Sequence, residues 1–131
     1  MTLARLRKYL KTLPFNSLVG LTATALHPDG VTLACPVRPE LLNAHGTLHG
    51  GVYGTIADAA VGMAIFSHFD GKRLATTVEM KVNFFLPVVK GKIIARAHLR
   101  RMGSSLAVGQ VDLTDDKGKL VGLAIATYKL L

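Results

Sequence analysis

NAHGTLHGGVYGTIADAAVGMAIFSHF, residues 43–69, begins as a polar, glycine-broken loop and turns into an apolar helix. From Gly50 onward small and apolar residues dominate, and Asp58 is the only Asp, Glu, Lys or Arg before Phe69. An ionised carboxylate in apolar surroundings is costly unless it is paired or used. Helical spacing puts Gly51, Gly54, Thr55, Val61, Gly62 and Ile65 on the face of Asp58. Glycine inside a helix costs about 1 kcal/mol relative to alanine, so Gly54 and Gly62 predict the close approach of another backbone or of a ligand. Gly50 and Gly51 fall where the helix begins. Unpaired N–H groups and the positive dipole end there suit an anion or a developing oxyanion. A lone acid one or two turns further on, facing small residues, suits catalysis. A structural acid paired with a basic side chain is the competing reading.

The chain around this stretch has 131 residues and is half hydrophobic, enough for one domain over 1–131 with a real core. Asp58 interrupts the one apolar run long enough to suggest a membrane span, so no membrane partner is expected. The single cysteine, Cys35, excludes an internal disulfide. Its neighbours in VTLACPV predict a buried, inert thiol in a reducing, cytoplasmic setting. The net charge of +8 favours anionic partners. Without tryptophan and with few aromatics for base stacking, the sequence carries no nucleic-acid module signature, so no nucleic acid is expected.

The remaining pattern is mostly strands. Residues 2–13 predict a short amphipathic helix with Leu3, Leu6, Leu10 and Leu13 on one stripe, capped by Thr2 and followed by Pro14. That stripe fits a helix lying on a sheet, or alternatively on a membrane surface. Residues 18–26 and 31–37 alternate as strands around His27-Pro28-Asp29-Gly30. In residues 74–86, Val78, Met80, Val82, Phe84 and Leu86 face one way, and Thr77, Glu79, Lys81, Asn83 and Phe85 the other. Residues 92–101, 105–114 and 120–128 complete the set, and four consecutive strands predict an antiparallel meander. The expected class is α+β: about six antiparallel strands wrapped around one long central helix, with a short N-terminal helix.

Asn43, Gly46, Thr47, His49, Gly50 and Gly51, with Asp58 seven residues after the second glycine, resemble the hotdog-fold acyl-CoA thioesterases. The phenylacetate-pathway branch and the human thioesterase-superfamily-member-2 type are the most similar. The strand TTVEMKVNFFLP resembles the family's strand after the central helix, and RRMGSS its nucleotide-contacting turn. The resemblance implies thioester hydrolysis to a carboxylic acid and CoA. It implies that the Gly50 N–H polarises the carbonyl and that Asp58 acts as nucleophile or general base. Thr77, with Thr76 as the fallback, would help hold water or the acid, and Asn43 and His49 would position the loop and thioester. Gly51, Arg100, Arg101, Gly103, Ser104 and Ser105 would contact the substrate, the arginines through CoA phosphates. No metal and no separate cofactor are expected, CoA being part of the substrate. The hotdog fold also hosts acyl-CoA binders without turnover, so fold alone leaves that alternative open. The resemblance further implies a homodimer with shared sites, and a homotetramer. Helix geometry agrees with sharing: Gly50 and Asp58 are separated by about 12 Å along the helix axis, too far for one helix to serve one carbonyl.

Overall fold

The computed structural model describes residues 1–131 as α1 (Leu3–Thr12), α2 (Pro14–Val19), β1 (Thr22–His27), β2 (Gly30–Pro36), α3 (Gly50–His68), β3 (Ala75–Phe84), β4 (Lys92–Met102), β5 (Leu106–Asp115) and β6 (Leu120–Leu130). The six strands form one antiparallel sheet in the order β1-β2-β4-β5-β6-β3. α3 lies across one face of this sheet. Ile56, Ala57, Ala60, Val61 and Ile65 are fully buried there, against Ile93, Ala95, Ala97, Val111 and Leu113 from the strands. Alanines on both sides let the helix sit close to the sheet. Cutting Ile56 or Ile65 back to alanine removes about 2–5 kcal/mol each.

α1 begins as its sequence predicts, with the Thr2 hydroxyl accepting from the Arg5 N–H at 3.2 Å. Leu6 and Leu10 are buried in the common core, and α1 packs on β1. The apolar stripe is thus occupied by the sheet and is not available to a membrane surface. No helix is long and apolar enough to cross a membrane.

Four expectations need correction. Residues 14–19 form α2 where a strand from residue 18 was expected, and β1 starts at Thr22. Pro14 occupies the first turn of α2, and Gly20 ends it with φ +94°, a conformation that favours glycine. The last four strands are not one meander. β4, β5 and β6 are sequential neighbours, but β3 pairs with β6 at the sheet edge. The segment 85–91 crosses the end of the sheet to reach β4. Three strand spacings are about 14 Å, well within the reach of seven residues.

The predicted face of α3 also splits. Val61 packs on Gly109 of β5 and Ile65 is fully buried, leaving Gly51, Gly54, Thr55, Asp58 and Gly62 as the open stripe. Lastly, the alternation of β3 breaks at Val78. Thr77 pairs with Tyr128 and Glu79 with Thr127, so Val78 is an extra residue, a bulge. The bulge puts Thr77 on the helix side of the sheet together with Met80, which faces Gly54. A regular strand would have turned Thr77 to the opposite face with Glu79, whose carboxylate instead accepts from Thr127.

Candidate active site

Asp58 sits in the middle of α3, half-buried, and enters none of the chain's ion pairs. Its partners are hydroxyls. Thr77 Oγ1 donates to Asp58 Oδ1 at 2.6 Å. The Tyr128 hydroxyl lies 2.7 Å from the same Oδ1 and 2.6 Å from the Asp58 backbone carbonyl. A phenol has one proton to give, so it is shared between these two acceptors. Burial first, and the Asp58 carboxylate second, push the Tyr128 phenol well above its ordinary range. It therefore stays protonated, as a donor, at neutral pH.

The neighbouring side chains make this arrangement possible. Tyr128 is buried in the inward row Ala124, Ala126, Tyr128, Leu130 on β6. A Cβ on Gly62 would stand 3.2 Å from its hydroxyl, so a glycine one turn after Asp58 lets the phenol reach the helix. At Gly62, where another backbone or a ligand was expected, what approaches is a side chain of the same chain. A cleft of about 270 Å³ opens beside the carboxylate, lined by Asp58, Thr76, Thr77 and Tyr128 on one side and by Tyr9, Leu13 and Phe66 on the other. Tyr9 stacks on Phe66 with ring centroids 3.9 Å apart, which closes the α1 side.

The helix entrance is a separate place. Asn43 holds its own loop: its amide donates to Thr47 Oγ1, and its Oδ1 accepts from the His45 and Thr47 N–H groups. His49 caps α3, its Nδ1 accepting from the Gly51 N–H at 2.8 Å. Gly51 is thereby engaged, whereas Gly50, as the first helical residue, has no intrahelical acceptor for its N–H. Asn43 and Gly50 line a second cleft with Tyr53, Phe84 and Phe85. Tyr53 belongs to the core, and its hydroxyl donates to the Leu86 carbonyl. Within one chain, then, Asp58 and Thr77 are brought together, and Asn43, His49 and Gly50 are brought together elsewhere.

Arg100, Arg101, Gly103, Ser104 and Ser105 lie at the β4–β5 turn. Arg100 donates to Gln110, and the Gly103 N–H to the Leu106 carbonyl at 2.8 Å. The turn abuts the Asp58 cleft through Arg73, which lines that cleft and donates to the Ser104 and Leu131 carbonyls. Arg73 and Tyr128 escaped the reading of the sequence. For Tyr128 a signal exists: a large polar aromatic ends a row of alanines, opposite a helical glycine of matching spare volume.

The chain belongs to the thioesterase superfamily, whose family profile matches residues 45–122. It is 34% identical over 110 residues to human acyl-coenzyme A thioesterase 13, covering 82% of this chain and 78% of that one. A crystal structure of a thioesterase from Haemophilus influenzae is similar with a TM-score of 0.92 at 25% identity, over 100% of this chain and 91% of that one. A mutant form of the phenylacetic acid degradation protein from Thermus thermophilus is similar with a TM-score of 0.81 at 30% identity, over 90% and 99% of the two chains. The fold is the hotdog fold, and the protein is a thioester hydrolase.

Proposed function

We propose that the protein hydrolyses acyl-CoA thioesters at sites shared by two subunits, with Asp58 as the acid that drives the reaction. The observation that carries this is the carboxylate itself: free of any ion pair, aimed by two hydroxyls and open to a cleft. Asp58 either attacks the thioester carbon or takes the proton of the water that does. The Gly50 N–H stabilises the oxyanion, the C–S bond breaks, and CoA leaves as a thiolate that takes up a proton.

Sharing follows from distance. About 12 Å of helix separates Gly50 from Asp58, and the two line different clefts. The outer edge of β3 is unpaired, with Val78 55% and Phe84 58% exposed, and Phe85 just beyond the strand 49% exposed. Such an edge is a template for another strand. Pairing it with the same edge of a second copy around a twofold axis sets the two α3 helices antiparallel. Each helix start then lies beside the middle of its partner. Asn43, His49 and Gly50 would serve a site with Asp58 and Thr77 of the other subunit. The exposed Arg100, Arg101 and the turn Gly103–Ser105 would receive the phosphates of CoA.

Thiol release from a panel of aryl, short, medium and long acyl-CoAs tests the activity. Subunit exchange tests the sharing. Asp58→Asn and a Gly50 substitution that blocks the oxyanion site each inactivate the homodimer. Mixed dimers regain up to about half the activity, because one of their two sites carries neither defect. Confirmed mixed dimers that stay inactive, with both parents folded, would rule the shared site out.

A further inference from the structure

We propose that Tyr128 is a positioning residue for Asp58, and that together with Thr77 it assigns the work to one carboxylate oxygen, Oδ2. This rests on the reading of Asp58 as the reacting acid. Two hydroxyls converge on Oδ1, at 2.6 Å from Thr77 and 2.7 Å from Tyr128. They come from adjacent strands at directly paired positions, Thr77 opposite Tyr128. Two short donors take up the useful lone pairs of Oδ1 and fix the carboxylate rotation. Oδ2 accepts from no group of the chain, and Asp58 lines the cleft, so Oδ2 is the oxygen left to meet water or the thioester.

The phenol does a second job. Its proton also faces the Asp58 backbone carbonyl at 2.6 Å, so one group holds both the side chain and its own peptide unit. A free aspartate side chain explores several rotamers; this one is clamped at both ends to the sheet. A rigid strand, and not a loop, carries the clamp. Gly62 is the complementary feature on the helix, because any larger residue would press on the hydroxyl. A purely structural tyrosine would need its ring here and nothing from the hydroxyl's position.

Tyr128→Phe keeps the ring and removes the proton. Expected is a fall in kcat of about tenfold, the effect of losing a hydrogen bond to a charged group, with KM for acyl-CoA unchanged. Introduced into Asp58→Asn, the same change produces no further loss, because the group it serves is gone. A folded Tyr128→Phe enzyme with wild-type kcat overturns the proposal. So does an equal loss with and without the Asp58 carboxylate, which would mean that the hydroxyl acts elsewhere. Asp58→Asn alone separates the two layers: wild-type turnover there defeats the reading of Asp58, whereas an inactive Asp58→Asn beside an unaffected Tyr128→Phe defeats only this inference. Should Tyr128→Phe fail to fold, 3,5-difluorotyrosine at position 128 keeps ring and hydroxyl but ionises at lower pH. Activity then falls away at the pH where absorbance shows the substituted phenol ionising, and activity that persists through that ionisation overturns the assignment.

Discussion

Asp29 and Asp58 are held in opposite ways. Asp29, in the β1–β2 turn, meets a guanidinium and an imidazole: Arg96 Nη2 donates to its Oδ1 at 2.6 Å, and His98 Nδ1 lies 2.9 Å from its Oδ2. Arg96 first, then His98, hold its carboxyl well below the usual carboxylate range. Both of its oxygens are occupied, and Arg96 pairs its charge. Asp58 meets only hydroxyls, both on one oxygen. Ion pairs commit a carboxylate to structure. Neutral donors aim it while leaving the negative charge and one oxygen available. The difference separates an acid fastened by an ion pair from one whose charge and second oxygen are left free.

The sharpest way to break this contrast is to neutralise each acid in turn. Asp58→Asn is expected to lower kcat at least about 100-fold with substrate affinity little changed, the lower range for losing a general base. A folded, mass-verified Asp58→Asn protein with near-wild-type turnover would erase the distinction. A smaller effect is expected at the phosphate end. Arg100→Gln with Arg101→Gln should raise KM for acyl-CoA about three- to tenfold while leaving a short thioester without the nucleotide unaffected, in keeping with exposed ion pairs. Equal changes for both substrates would remove these arginines from CoA recognition.

Asp29→Asn is the smallest of the three and falls on stability. A loss of about 1 kcal/mol, a few degrees in Tm, is expected for a partly exposed pair, with kcat unchanged. The pH dependence has a definite sign. A carboxyl whose folded pKa is depressed lends its stability fully above the unfolded value, about 3.9, and loses it as pH falls toward the folded value. The gap in denaturant midpoint between wild type and Asp29→Asn should therefore be constant above about pH 5 and shrink below about pH 4. A gap that widens on acidification contradicts the ion-pair account.

Much of the fold was legible because it rests on periodicity. The helix Gly50–His68 and the strand segments follow from the apolar run and from alternation, and Thr2 and Pro14 mark the limits of α1. α2 was missed because six residues are too few to show a helical period, although Pro14 and Gly20 bracket it. The place of β3 beside β6 was hidden because a sequence gives strand existence more readily than strand partners. The bulge at Val78 belongs to register and not to composition. For that reason the motif singled out Thr77, but the alternation pointed it the wrong way. Tyr128 stayed hidden because tyrosine is an ordinary strand residue, and its importance lies in what stands opposite.

Cys35 has a practical side. Its sulfur is fully buried in β2, within 3.4 Å of the Val19 carbonyl at the end of α2, and burial raises its pKa. Thiol reagents react with thiolates that they can reach, and this one is neither ionised nor accessible. A colorimetric thiol assay run on the folded enzyme therefore counts the thiol released from the substrate, with no blank from the protein. In denaturant the same reagent becomes a clock: one equivalent per chain appears when the core around β2 opens, timing that opening.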